Sequence, residues 1–172
     1  KEFSKAAEAY LNFVHDFPTT EIADLALYNA SVDYYKAKSL DKAIEVRKRL
    51  FAEYPRSKYV PDSIYANAEA LEAIGDFEDA ASTYELYVRG YERNLNDKGG
   101  GPAPKARGKH GKGKAAAPAA DGKPAVVQKW DESKAQVALF NAATYREGLG
   151  QLAAGAVVGQ HPVAAGPLDG GR

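Results

Sequence analysis

The side chains of this 172-residue sequence that could perform catalysis or hold a metal do not form a recognisable motif. The histidines His15, His110 and His161 lie far apart, with no His-x-x-x-His pair and no cluster of carboxylates around them. Cysteine is absent, which excludes disulfides and thiolate metal sites. Neither a Gly-x-Gly-x-x-Gly nor a Gly-x-x-x-x-Gly-Lys-Ser/Thr phosphate-binding pattern occurs. We therefore expect no catalytic residue, no metal and no cofactor, and a protein that is not an enzyme.

A basic tract in the second half of the chain is the other candidate for chemistry. It contains no acidic residue, and its cations are Lys98, Lys105, Arg107, Lys109, Lys112 and Lys114. Such a tract can hold an anionic polymer by releasing its counterions. No aromatic side chain is interleaved to stack on bases, so we expect a solvated linker and no nucleic-acid partner. Contact with another anionic surface stays open as the alternative.

The composition is that of a soluble globular protein, with 45% hydrophobic and 27% charged residues. No apolar run approaches the roughly 18 residues that a membrane span requires. The formal net charge is zero, but residues 1–95 carry 12 basic and 17 acidic side chains. The acidic and basic parts of the chain can therefore attract each other or face different partners.

A repeat of 37 residues organises the first half of the chain. Residues of the same kind recur at this spacing, including the pairs Pro18 and Pro55, Leu27 and Ile64, Leu40 and Phe77, Ala43 and Ala80. Apolar residues within each unit recur every three or four positions, as amphipathic helices require. A period of this length is typical of solenoids, in which each unit stacks on the next. The predicted fold is therefore all-α, an antiparallel helix-pair solenoid with a disordered basic insertion.

Four segments follow from this pattern. Residues 1–95 form half a repeat and two full repeats, the last helix of which fades near Arg93. Residues 96–128 have no Leu, Ile, Phe, Tyr or Trp, and we expect this Gly/Ala/Lys/Pro-rich insertion to be disordered. Residues 129–152 contain the first helix of a further repeat, because residues 138–143 read almost as residues 26–31 do. Residues 153–172 form an irregular Gly/Ala-rich tail, either a natural flexible end or a sequence that is not native.

The order of large and small residues resembles the tetratricopeptide repeat (TPR) family. The first full unit has Leu27, Ala30, Ser31, Tyr34, Leu40, Ala43, Leu50 and Pro55 at the relevant positions. The period is longer than the usual one, and Arg47 stands where an aromatic residue is common. The long Pro-containing connections are similar to those of the periplasmic branch of the family, which includes an outer-membrane-assembly lipoprotein and a cell-division coordinator. This resemblance implies a periplasmic, outer-membrane-associated protein of the bacterial envelope.

The resemblance also implies a binding site. In this family the first helix of each unit lines a concave groove, and the residue after its large packing residue points into the groove. The groove residues implied here are Tyr28, Asn29, Val32, Tyr35, Tyr65, Glu69, Glu72 and Phe140. Tyrosine suits recognition because it combines a large apolar surface with a polar tip. Ordinary packing between repeats is the alternative role for these rings.

We therefore expect a non-enzymatic protein–protein interaction scaffold that binds a peptide or a partner helix in the groove. The alternative is a structural subunit of a larger envelope machine for assembly, secretion or motility, whose basic insertion contacts an anionic surface. Neither end of the repeat array has a matching half, so apolar residues at both ends should be exposed. These are Phe3, Tyr10 and Phe13 at one end and Leu139, Phe140 and Leu149 at the other. We expect self-association through these ends.

Overall fold

A computed structural model of the chain describes residues 2–98 and 127–151. Within these ranges every regular element is a helix, and the order confirms the all-α prediction. The helices are α1 (Glu2–Asp16), α2 (Ala23–Lys36), α3 (Leu40–Glu53), α4 (Val60–Ala73), α5 (Phe77–Lys98) and α6 (Glu132–Gly148). Each helix packs on the helix that follows it, from α1 through α6. The short connections between successive helices from α1 to α5 reverse the chain each time, which is the arrangement of an antiparallel helix-pair solenoid.

Small residues at regular positions bring neighbouring helices close together. Ala30 of α2, Ala43 of α3 and Ala68 of α4 are completely buried. Around them the larger apolar side chains form two main clusters. The first cluster joins α1, α2 and α3 around Leu27, Tyr34 and Leu50, and the second joins α4, α5 and α6 around Ile64, Tyr84, Tyr87 and Ala138. The residues that recur at the 37-residue spacing are therefore the ones that pack between helices.

The turns that end α2, α4 and α6 show the same repeat in the backbone. Lys38, Gly75 and Gly150 occupy equivalent positions after these helices, and all three have a left-handed φ, of 62°, 82° and 66°. Each donates its N–H to the carbonyl three residues earlier, at 2.9–3.0 Å. The residue after each one bonds to the carbonyl five residues back, which is the Schellman arrangement of a helix C-terminus. Helix α6 is thus a third copy of the α2 and α4 type.

Residues at both ends of the predicted insertion, 96–98 and 127–128, belong to the part of the chain that the structure describes. Helix α5 continues to Lys98, past the expected end near Arg93, so residues 96–98 are helical. At the other boundary, Gln128 donates its side-chain N–H to the carbonyl oxygens of Pro55 and Ser57, at 2.8 and 2.9 Å. The sequence predicts disorder at both places because residues 96–128 contain no Leu, Ile, Phe, Tyr or Trp. In the structure residues 96–98 are helical, and two hydrogen bonds hold the side chain of Gln128. The rest of that segment, and the tail at 153–172, lie outside the described residues.

The chain returns to the solenoid through Trp130. Its indole ring packs edge-on against Tyr87, with ring centroids 5.2 Å apart, and also covers Gly90. The Asp131 backbone N–H then donates to the Tyr87 hydroxyl at 3.1 Å, and the Asp131 carboxylate caps α6 by accepting from the Lys134 N–H. These contacts place α6 against α5 in the position that the interrupted repeat requires. Of the helices in the described ranges, none has the length and apolar character to cross a membrane.

Candidate protein-binding groove

A groove of about 200 Å³ lies where α2, α4 and α6 meet, with α3 beneath it. We call it the central groove. Its lining residues come from four helices, which is possible only because successive units stack in register. They are Tyr28, Ser31, Val32, Arg47, Asp62, Ser63, Tyr65, Ala66, Glu69 and Lys134.

The two tyrosines of the central groove are half-buried and are supported in equivalent ways by the unit that follows. The Tyr28 ring stacks on Tyr59, with centroids 4.6 Å apart. The Lys134 ammonium lies 5.3 Å from the centre of the Tyr65 ring. In the repeat, Lys134 is the residue that corresponds to Tyr59 one unit later. Tyr65 also packs edge-on against Tyr84 and Tyr87, at 5.7 and 5.3 Å. The rings therefore pack between repeats and also line the groove.

Arg47 forms the floor of the groove and is only 5% exposed. One guanidinium N–H donates to the Ala66 carbonyl at 3.1 Å, and the group lies 5.5 Å from the centre of the Tyr35 ring. Burial lowers the pKa of Arg47, and the Coulombic attraction of Tyr35 and Glu69 opposes that shift. The floor is therefore a buried cation held by one carbonyl and one aromatic face.

Charged side chains form the rim. Lys134 Nζ lies 2.9 Å from an Asp62 carboxylate oxygen, and this hydrogen bond raises the pKa of Lys134. Glu69 is exposed on the α4 side of the groove. Deeper in the groove, the buried Ser63 hydroxyl has no hydrogen-bond partner among the described residues. The rim thus offers a paired cation, a carboxylate and two aromatic edges.

The structure gathers four of the eight predicted groove residues into the central groove, namely Tyr28, Val32, Tyr65 and Glu69. Tyr35 instead packs on Arg47, and Glu72 accepts a hydrogen bond of 2.9 Å from the Tyr84 hydroxyl. Asn29 lies on the opposite side of α2, in a second groove formed with α1. Tyr35 and Glu72, seven residues after the two groove tyrosines, thus contact the following helix, and Tyr35, Glu72 and Asn29 are not among the lining residues of the central groove.

Phe140 was predicted to line the groove by its equivalence to Tyr28 and Tyr65. It lies on α6 with 71% of its surface exposed and is not among the lining residues of the central groove. Lys134, six residues earlier in α6, is the α6 residue that reaches the groove. The difference arises because each such ring is covered by the next unit, and for Phe140 no next unit lies within the described residues.

Arg47, Asp62 and Lys134 are the charged groove residues that the sequence pattern missed. The signal for Lys134 was present, since it stands in the register position of Tyr59. Arg47 was noted as a departure from the family pattern, but the sequence did not indicate that it lies under the groove. Of the basic tract, Lys98 ends α5, and the other five cations lie outside the described residues. Over residues 2–98 and 127–151, His, Asp and Glu form no group that could hold a metal ion.

Comparison with models of protein families, with curated proteins and with solved structures found no match to this chain.

Proposed function

We propose that this chain is a non-enzymatic protein–protein interaction scaffold that binds an extended peptide segment of a partner protein in the central groove. The observation that carries the proposal is the juxtaposition of Tyr28 and Tyr65 on neighbouring units, with carboxylates of the rim beside them. Aromatic side chains fixed by packing lose little entropy when a peptide binds, which favours recognition.

The charges of the rim suggest the chemistry of the peptide. Lys134 is already paired with Asp62, whereas Glu69 projects from α4 beside the tyrosine. Residues 1–95 carry an excess of acidic over basic side chains, 17 against 12. A peptide with a lysine or arginine flanked by apolar residues would pair its cation with Glu69 and place its apolar side chains on the rings. The resemblance to TPR proteins with long repeats supports a location in the bacterial periplasm, associated with the outer membrane.

The test is a selection of random displayed peptides on the immobilised full chain, followed by affinity measurements on soluble versions of the peptides obtained. Glu69→Lys should weaken binding of basic peptides about tenfold, the effect of one charge-assisted contact. Glu45→Lys is the matched control, because Glu45 is exposed on α3 and does not line the central groove. Peptides that bind both variants as they bind the wild type would refute the groove as the binding site.

A further inference from the structure

A second, apolar groove lies at the first end of the solenoid, between α1 and α2. Its volume is about 510 Å³, and its lining includes Ala6, Tyr10, Phe13, Ile22 and Leu25. We call it the end groove. Ile22 is 51% exposed there, and Tyr10 is also exposed, whereas Phe13 is half-buried.

The repeat shows what fills such a groove in the interior of the molecule. The residues of α5 that correspond to Tyr10 and Phe13 are Tyr84 and Tyr87, and both are buried. They are covered by α4, whose Tyr65 ring packs edge-on against both. Between α3 and α4 the same place is taken by α2, whose Leu27, Ala30 and Tyr34 share a core with Ala43 and Leu50. Each interior copy of the end groove therefore holds a helix of the α2 and α4 type.

Helix α6 is the third helix of that type and presents the corresponding face to solvent. Phe140 stands where Tyr65 stands in α4, and Leu139 stands where Ile64 stands. Ile64 is buried, whereas Leu139 and Phe140 are exposed, and no described residue covers them. The end groove and α6 are thus two halves of one interface that the solenoid forms twice in its interior.

The side chains at the two ends match each other as those of α4 and α5 do. The α4–α5 interface contains Glu72 accepting from the Tyr84 hydroxyl at 2.9 Å. The corresponding residues at the ends are Glu147 of α6 and Tyr10 of α1, so the same carboxylate and the same phenol are available. The α2–α3 interface uses Tyr35 and Arg47 instead, so this agreement is specific to the α4–α5 type.

We infer that two copies of this chain associate head to tail, with α6 of one copy seated in the end groove of the other. Phe140 packs on Tyr10 and Phe13 with Ile22 over its ring, and the Tyr10 hydroxyl donates to Glu147. Arg146 departs from the pattern, because it replaces Leu71 and is held on α5 by Glu85 and Ser82, at 3.0 and 2.9 Å. The contact therefore lacks the buried leucine of its interior counterpart.

The geometry of this contact predicts how assembly proceeds. The two surfaces are different, so each copy that binds leaves a free α6 at one end and a free end groove at the other. A heterologous contact of this kind extends into open chains unless its rotation closes a ring. The association should therefore grow with concentration beyond a dimer.

Sedimentation of the full chain with one substitution tests the role of α6. Phe140→Glu places a charge in the proposed interface and should weaken association about tenfold to a hundredfold, as the loss of one buried aromatic side chain does. Val127→Glu is the matched control, since Val127 and Phe140 are both 71% exposed. Unchanged thermal melting of both variants would show that the fold is intact. A wild-type chain that stays monomeric up to about 1 mM, or a Phe140→Glu variant that associates like the control, would overturn the inference.

Cross-linking tests the head-to-tail geometry separately. The chain has no cysteine, so single cysteines report on defined positions. Ala9→Cys and Ala143→Cys change small exposed residues whose counterparts, Thr83 of α5 and Ala68 of α4, are both buried. A short bismaleimide should link the two variants when they are mixed and should link neither with itself. Ala9→Cys mixed with Glu45→Cys is the control, and cross-links of each variant to itself would contradict the head-to-tail arrangement.

Discussion

The indole ring of Trp130 lies directly on Gly90, so that a Cβ atom added at Gly90 would stand 2.7 Å from Trp130 Cζ2 and closer still to Cη2 and Cζ3. This contact joins α5 to the segment by which the chain re-enters the solenoid after residues 99–126. A glycine within a helix lowers helix stability by about 0.5–1 kcal/mol relative to alanine, which is the cost of this close approach.

Gly90→Ala should therefore destabilise the protein, although alanine is the better helix former. Displacing the Trp130 ring should cost about 1–3 kcal/mol, as overpacking of a core does. Gly148→Ala is the matched control, because a Cβ there meets nothing within 4 Å and the change should be neutral or stabilising. Trp130 is the only tryptophan, so a red shift of its fluorescence emission would report its exposure. A Gly90→Ala variant with unchanged emission and melting temperature would refute the contact.

The turn positions Lys38 and Gly75 allow a reciprocal test of the repeat. Lys38 has a φ of 62°, which costs a side-chain-bearing residue about 1 kcal/mol relative to glycine. Lys38→Gly should raise the midpoint of urea unfolding, whereas Gly75→Ala should lower it. A Cβ at Gly75 meets nothing within 4 Å, so the second effect would come from backbone conformation alone. Changes of the same sign in the two variants would show that the turns are not equivalent.

The pair formed by Tyr35 and Arg47 should be replaceable by the corresponding pair of the next unit, Glu72 and Tyr84. Arg47→Ala removes the hydrogen bond from the guanidinium to the Ala66 carbonyl and should cost about 1.5–3 kcal/mol, the range for a hydrogen bond from a charged group. The double variant Arg47→Tyr with Tyr35→Glu reproduces Tyr84 and Glu72 at these positions and should recover most of that loss. Chemical denaturation of both variants measures the difference. If the double variant is no more stable than Arg47→Ala, the two interfaces are not interchangeable.

Tyr145 should make the protein sensitive to alkali. Burial, together with a hydrogen bond to Glu72, raises its pKa to about 12, against about 10 for an unfolded tyrosine. Between these values the unfolded chain releases a proton that the folded chain retains, so the free energy of unfolding falls as pH rises above about 10. Below that pH the contribution is fully present. Burial also raises the pKa of Tyr84, so its effect has the same sign.

Melting temperatures between pH 8 and pH 12 measure this effect. The melting temperature of the wild type should fall above about pH 10, and that of Tyr145→Phe should fall less, because phenylalanine has no proton to release. Parallel curves for the two proteins would show that Tyr145 does not ionise differently on unfolding.

The sequence by itself determined the class of fold, the pairing of helices and the register of the repeat. These follow from local properties, since amphipathic spacing indicates helices and small residues such as Ala30, Ala43 and Ala68 mark their close approaches. It also determined that Tyr28 and Tyr65 lie in one groove, because equivalent residues of stacked units take equivalent places. The end of α5 at Lys98 was missed because helix propensity in a polar, weakly amphipathic stretch leaves the boundary open.

Only the tertiary structure decided which side chains meet between helices. Tyr35 and Glu72 have the same spacing as the groove residues, yet both turn toward the following helix to meet Arg47 and Tyr84. Trp130 packs on Gly90 although the two residues lie on either side of the insertion, and no local sequence pattern relates one to the other. Contacts of this kind depend on the distance and rotation between helices, which are set by packing of the whole array and not by the periodicity of any one segment.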